Sequence, residues 1–136
     1  MNSSSAQNLL KELFAVAVKA ASPDFLKFTD LFPDPPKGKV IVVGAGKASA
    51  SMAKSFEQAA KALWPESEYE KISGLVITRY QHGLGCDKIE VVEASHPVPD
   101  EAGEQAAHQI IQRVSGLSAD DLVVCLISGG GSALLT

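Results

Sequence analysis

The sequence predicts an α/β protein with a Rossmann-like, mostly parallel sheet and helices on both faces, present here as the N-terminal fragment of a larger domain. The first observation is the order of elements. Apolar, β-branched runs alternate with amphipathic segments as strand, helix, strand and then again strand, helix, strand. The second is that two of the apolar runs end on glycine-rich loops, at residues 44–46 and 129–131. Because such loops follow the strands of parallel sheets, we expect both at one edge of one sheet.

The composition excludes several other classes of protein. A chain of 136 residues with 46% apolar and 21% charged residues is typical of about one folded, soluble domain. The net charge of −4 and the aromatic content of 6% argue against a nucleic-acid partner. No apolar run approaches the roughly 20 residues of a membrane span, and the N-terminus does not resemble a signal peptide. With two cysteines and no CxxC spacing, these features predict a cytoplasmic protein without membrane contact.

Residues 1–38 are predicted to form two helices and a stiff loop that pack on the sheet domain. Leu9 and Leu13, with their apolar neighbours, return at helical spacing over residues 5–21. Ser22 and Pro23 predict a second, short helix, because serine caps helices and proline favours the first helical position. Its inward side chains are expected to be Phe25, Leu26, Phe28 and Leu31. The prolines that follow exclude a helix up to residue 38.

Residues 39–136 are predicted to form the N-terminal part of the α/β domain. Residues 40–43 are all valine or isoleucine, which is typical of a strand buried on both faces, and a helix of about 17 residues follows. Further strands are expected at residues 72–78, 88–93 and 121–127, and a further helix at 100–114. Residues 80–87 are short for a parallel crossover, although eight extended residues reach about 26 Å. We expect the flanking strands to be parallel, with an antiparallel pair as the open alternative.

The loop after the first strand is a candidate phosphate site. Gly44 and Gly46 leave backbone N–H groups accessible, and the start of the next helix adds partial positive charge. The GxxxxGK[ST] spacing of the P-loop is absent. Lys47 at the first helical turn opposes the helix dipole, which an anionic partner would explain. The alternative is a tight turn with a solvated lysine.

A dinucleotide site is a second interpretation of the same loop. Ser49 stands where the fingerprint has its third glycine, and the acidic residue expected about 20 positions further on is missing. Arg79, at the end of the second strand, would suit a 2′-phosphate instead. Binding of NAD(P)H, and with it a reductase, therefore stays open as the alternative.

A second glycine loop follows the last predicted strand. It comprises Ser128, Gly129, Gly130, Gly131 and Ser132. Successive glycines between two hydroxyls can form a nest of backbone N–H groups that wraps a phosphate. A flexible turn is the alternative. Paired with the first loop at one sheet edge, this loop indicates an anionic ligand.

A third loop carries a histidine toward the same edge. Pro97 and Pro99 make this loop rigid, and Asp100 is the expected cap of the helix that follows. His96 is therefore a candidate for a substrate-facing residue, with a hydrogen-bonded structural imidazole as the alternative.

No metal ligands are predicted in this chain. His82 and Cys86 lie near each other in the sequence but are too few for a metal site. Cys125, inside an apolar run, is expected to be a buried, inert thiol.

Four segments in register resemble the N-terminal part of the class II glycerate 2-kinases, the family with a C-terminal MOFRL domain. They read VVGAGKA at residues 42–48, GLVIT at 74–78, SHPVPDEAG at 95–103 and LISGGGSALL at 126–135. Members of this family also carry the name hydroxypyruvate reductase. The resemblance covers nearly all of the chain but only the first third or so of a family member.

The resemblance implies an ATP- and Mg²⁺-dependent kinase that phosphorylates the 2-hydroxyl of D-glycerate in a cleft between two domains. It implies that Lys47 holds the substrate or the transferring phosphoryl group, and that the loop from Ser128 to Ser132 cradles the ATP phosphates. The residues themselves agree, because phosphoryl transfer depends on positioning and charge stabilisation more than on covalent chemistry.

Two further expectations concern the extent of the chain. Thr136 falls within the first turns of the helix expected after the last glycine loop. Because the resemblance implies that half of the cleft lies outside this chain, we expect the isolated fragment to be inactive. A non-catalytic nucleotide-binding fragment is the second alternative, and the sequence leaves formation of a homo-oligomer open.

Overall fold

The structure is a computed structural model that describes residues 3–136, with the side chains of all of these except Ser3, Leu26 and Phe28. The elements in chain order are α1 (Ser3–Ala21), a 3₁₀ helix (Phe25–Leu31), β1 (Val40–Ala45), α2 (Ser49–Leu63), α3 (Glu66–Tyr69), β2 (Ile72–Arg79), β3 (Ile89–Ala94), α4 (Glu101–Arg113) and β4 (Leu122–Ile127). The helices and strands expected between residues 5 and 127 are present, with ends shifted by a few residues at most. The helix expected after the last glycine loop is absent from the described residues 128–136, where residues 132–134 form only a turn. None of the helices between residues 3 and 136 has the length and apolar character needed to cross a membrane.

The four strands form one sheet in the order β3-β2-β1-β4, and every neighbouring pair is parallel. Strand β1, the run of valine and isoleucine, lies between β2 and β4 and is buried along its whole length. The parallel direction expected for β2 and β3 is confirmed by the register that aligns Gly74 with Ile89. All four strands therefore end at the same edge of the sheet.

A helix covers each face of the sheet, as the α/β prediction requires. On the first face α2 packs on alternate strand residues, and the buried residues of this core are Val40, Val42, Ala53, Phe56, Ala60, Trp64, Tyr69, Ile72, Val76, Ile89 and Leu126. On the second face α4 packs on the residues between them. This smaller core comprises Ala45, Leu75, Ile77, Ala94, Ala106 and Leu134. The period of two along each strand separates the two cores.

A buried carboxylate on α2 explains how the short connection between β2 and β3 returns along the sheet. Glu57 is only 5% exposed and accepts hydrogen bonds from the backbone N–H groups of Asp87 (2.8 Å), Lys88 (2.7 Å) and Ile89 (2.8 Å). Charge-assisted hydrogen bonds of this kind are the stronger class in proteins. The carboxylate thus fixes the point at which the loop turns into β3.

The 3₁₀ helix and the loop after it pack on α2 through aromatic rings. The ring of Phe32 lies 5.2 Å from that of Phe56 and 5.5 Å from that of Trp64, measured between centroids. Phe25 meets the ring of Phe56 edge to face at 6.1 Å. The expectation that Leu31 points inward is wrong, because its side chain is 82% exposed at the end of the short helix. The expectations for Leu26 and Phe28 lie outside the described side chains.

Helix α1 keeps its large apolar side chains exposed, and the packing expected for residues 1–38 stays a prediction. Those side chains are between 45% and 72% exposed, and they are Leu9, Leu10, Leu13, Phe14, Val16 and Val18. The helical prediction itself is confirmed for residues 3–21.

Strand β4 is an outer strand with one uncovered face. Val123 and Ile127 are 40% and 52% exposed on that face, and Cys125 between them is exposed as well. The expectation of a buried thiol at Cys125 is therefore wrong. Cys125 is exposed because α4 covers β2 and β3, while no described element covers this side of β4.

Candidate functional site

The two glycine loops meet at the carboxyl edge of the sheet, because β1 and β4 are neighbours in register. Ala45, the last residue of β1, lies opposite Ile127, the last residue of β4. The N–H of Ser128 donates to the carbonyl of Ala45 at 3.1 Å, and the N–H of Gly46 donates to the carbonyl of Ile77 at 3.0 Å. The convergence expected from the sequence is thus present.

Glycine is required at positions 44 and 46 because β1 and the loop after it lie very close to β4 and its loop. A Cβ on Gly44 would lie 2.2 Å from the carbonyl oxygen of Leu126, and a Cβ on Gly46 would lie 2.1 Å from that of Ser128. Gly46 also has a φ of +129°, a backbone conformation that residues with a side chain rarely adopt. The structure therefore gives both glycines a packing role, and the ligand contact expected for them stays a prediction.

The second loop is tied to the first by a side chain and leaves two glycines, Gly129 and Gly130, open. The Ser128 hydroxyl oxygen accepts the N–H of Ala48 at 2.9 Å. Gly129 has a φ of +60°, and Gly131 packs against Ala45, where an added Cβ would lie at 3.3 Å. Gly130 has neither a positive φ nor any heavy atom within 4 Å of where its Cβ would lie. Its backbone is thus accessible to a ligand.

The backbone of Lys47 is fixed by the end of β2 and the loop that follows it. Its carbonyl oxygen accepts a hydrogen bond from the Thr78 hydroxyl at 3.4 Å and lies 3.2 Å from Nδ1 of His82. The side chain of Lys47 is exposed and forms no ion pair with any residue in 3–136. Its charge is therefore available to an anion.

The loop that carries His96 is held by Asp100. The Asp100 carboxylate accepts the hydroxyl proton of Tyr80 at 2.7 Å and, with its other oxygen, the N–H of Gly103 at 3.1 Å as the cap of α4. The Tyr80 hydroxyl, and after it the N–H of Ser95, lowers the pKa of Asp100 below its ordinary value. The same hydrogen bond raises the pKa of Tyr80. The peptide bond between His96 and Pro97 is cis.

A cavity of about 500 Å³ lies at this edge and brings together residues from all three loops. Its lining residues are Lys47, Ala48, His96, Ser128, Gly129 and Gly130. Arg79, Gly131 and Ser132 are not among them, although Arg79 ends the neighbouring strand. The lining contains basic groups, a hydroxyl and glycine backbone but no carboxylate, which is an arrangement suited to an anion.

The sequence reasoning missed three residues of this edge. Thr78, His82 and Tyr80 each hold a loop of the cavity without lining it. They occur at alternate positions from the end of β2, and this spacing is the signal that could have indicated them.

No metal centre is evident in the described part of the chain. Residues 3–136 contain no group of three or more His, Cys, Asp or Glu side chains that could hold a metal ion. Burial raises the pKa of the Cys86 thiol to about 11, with Glu57 adding to the effect, so this thiol stays protonated near neutral pH.

The fold and the site define an α/β domain with a cavity at the carboxyl edge of a parallel sheet, lined by basic groups, a hydroxyl and glycine backbone. The family model described as "Domain of unknown function (DUF4147)" matches residues 9–136. The chain belongs to this family, the N-terminal domain of the MOFRL-type glycerate kinases, and the resemblance drawn from the four sequence segments is confirmed.

Similar proteins carry two different names. A protein of Agrobacterium vitis named "Putative hydroxypyruvate reductase" is 49% identical over 134 residues, which cover 98% of this chain and 29% of that protein. The D-glycerate 2-kinase of Thermotoga maritima is 34% identical over 132 residues, covering 96% of this chain and 30% of that protein. A crystal structure of glycerate kinase from the same organism matches with a TM-score of 0.74 at 34% identity, over 96% of this chain and 30% of that one. The chain thus spans about 30% of the length of these relatives.

Proposed function

We propose that the protein to which this chain belongs phosphorylates the 2-hydroxyl of D-glycerate with ATP, and that this chain supplies its phosphate-binding edge. The observation that carries the proposal is the convergence of Lys47 with Ser128, Gly129 and Gly130 on one cavity without a carboxylate. The names of the kinase relatives support it. A cytoplasmic location and a small-molecule partner belong to the same proposal.

Each lining residue has a definite part in this proposal. Lys47 places a positive charge where negative charge develops on the transferring phosphoryl group, and electrostatic stabilisation of this kind dominates phosphoryl transfer. The accessible backbone of Gly129 and Gly130 binds the phosphates of the nucleotide. Ser128 keeps the two loops at a fixed distance through its bond to Ala48. His96 contacts the sugar acid from the opposite loop.

The lining fits phosphate oxygens but does not fit a Mg²⁺ ion held by this chain. Mg²⁺ prefers carboxylate and other oxygen ligands, and none of the lining residues is acidic. We therefore assign phosphate contacts to this chain and no metal ligand.

A hydroxypyruvate reductase that uses NAD(P)H is the second candidate, and the name of the Agrobacterium relative favours it. Two features of the chain weigh against it. Arg79, the residue offered for a 2′-phosphate, does not line the cavity, and Ser49 replaces the third glycine of the dinucleotide fingerprint. The hydroxyl of Ser49 instead donates to the carbonyls of Gly46 and Ile77 at 2.8 and 2.7 Å.

The test is a pair of assays on the complete gene product. With ATP, Mg²⁺ and D-glycerate we expect glycerate phosphorylated at the 2-position, identified by mass spectrometry and NMR. With hydroxypyruvate and NADH or NADPH we expect no oxidation of the nicotinamide. The opposite pair of results would replace the kinase with the reductase. Nucleotide binding with neither reaction would favour the non-catalytic fragment.

Replacing Gly130 with alanine is expected to weaken ATP binding about tenfold while leaving the fold intact, because the new methyl group points into open space where the phosphates approach. Isothermal calorimetry on the complete protein measures the dissociation constant. Gly85→Ala is the matched control, since a Cβ there also meets nothing within 4 Å and its loop lies outside the cavity. Equal dissociation constants for both variants would remove Gly130 from the phosphate site.

A further inference from the structure

We infer that Tyr80 and Asp100 act together as positioning residues that present His96 to the cavity. The inference rests on the proposed function for its kinetic part only. Neither residue lines the cavity, and neither is identified by the family comparison. Their role follows from the way in which three separate segments meet at one carboxylate.

Asp100 joins the end of β2, the His96 loop and the start of α4. Its Oδ2 accepts from the Tyr80 hydroxyl at 2.7 Å, and its Oδ1 accepts from the Gly103 N–H at 3.1 Å. Asp100 itself belongs to the loop that carries His96, four residues further along the chain. The N–H of Tyr80 also donates to the carbonyl of Ala94 at 3.2 Å, so the two segments are joined at both backbone and side chain.

Capping of α4 does not by itself explain the hydrogen bond from Tyr80 to Asp100. An N-cap requires only the bond from the carboxylate to Gly103, which Asp100 makes with one oxygen. Tyr80 is 49% exposed, so its hydroxyl could be satisfied by solvent. The hydroxyl instead donates to the second carboxylate oxygen of Asp100, which lies 20 residues further along the chain. This bond restrains the start of the loop whose imidazole faces the cavity.

His96 differs from the other two histidines in its surroundings. It is half-buried and lines the cavity with Lys47, whereas His82 and His108 are exposed. A second basic group in the same cavity as Lys47 can hold the carboxylate of a sugar acid or guide its 2-hydroxyl, and a small displacement of such a group lowers the rate of turnover. A restrained loop is therefore what the proposed reaction requires of His96.

The kinetic test is a double-mutant cycle on the complete protein. Tyr80→Phe is expected to lower kcat/KM for D-glycerate about tenfold in the wild-type background and less than about twofold in the His96→Ala background. Tyr69→Phe is the matched control, because Tyr69 is the other tyrosine of the chain and lies away from the cavity. Equal losses from Tyr80→Phe in both backgrounds, or no loss in either, would overturn the inference.

A second measurement does not depend on the reaction. Carbethoxylation by diethyl pyrocarbonate, followed by peptide mass spectrometry, gives a rate for each histidine, with His108 as the internal reference. Tyr80→Phe and Asp100→Ser are expected to raise the rate at His96 about threefold, since each removes the side-chain bond between residues 80 and 100 while serine can still cap α4. Unchanged rates at His96 in both variants would overturn the inference. If the kinase assay fails and these rates still rise, only the proposed function is lost.

Discussion

Lys47→Ala is expected to lower kcat/KM for phosphoryl transfer about 1,000-fold, because it removes the one lysine that lines the cavity. The effect should fall on kcat as well as on KM, since the charge is needed most where negative charge develops in the transition state. Steady-state kinetics with ATP and D-glycerate on the complete protein measure both constants.

Lys54→Ala is the matched control for this prediction. Lys54 is exposed on α2, about two turns beyond Lys47, and does not line the cavity. We expect its kcat/KM to stay within about twofold of wild type. Both variants should keep the wild-type melting temperature within a few degrees, because exposed lysines away from special features contribute little to stability. Equal activity of Lys47→Ala and wild type would reduce Lys47 to a surface charge.

The sequence predicts the sheet and the place of the site well because both depend on local patterns. Runs such as residues 40–43 are typical of strands buried on both faces of a parallel sheet, and parallel strands bring their carboxyl ends to one edge. Lys47 and Ser128 therefore meet in the cavity although 80 residues separate the contacting loops.

The residues that the sequence did not predict are those whose role depends on a distant partner. A tyrosine after a strand carries no charge to suggest a site, so the sequence favours Arg79, whereas in the structure Tyr80 makes the contact to the His96 loop. Cys125 was expected to be buried from its apolar neighbours, but the strand order puts it on an uncovered outer strand. Strand order is a property of the whole chain and is not encoded in any one segment.

Glu57 is the clearest case of such a residue, since its apolar helix neighbours gave no reason to assign it a partner 30 residues away. Glu57→Ala is expected to lower the free energy of unfolding by about 3–5 kcal/mol, because it leaves three backbone N–H groups at the start of β3 without an acceptor. Urea unfolding followed by the fluorescence of Trp64, the single tryptophan of the chain, measures this loss.

Glu57→Gln and Glu66→Ala are the comparison variants for this prediction. Glu57→Gln keeps the oxygen that accepts from Lys88 and Ile89 but turns an amide toward Asp87, so its cost should be about 2 kcal/mol. Glu66→Ala removes an exposed glutamate on α3, and its free energy of unfolding should stay within about 0.5 kcal/mol of wild type.

Hydrogen exchange adds a local measurement. The three backbone amides that donate to Glu57 should lose their protection from exchange in Glu57→Ala. A loss below about 1 kcal/mol with protection retained would mean that strand pairing alone holds β3 parallel to β2.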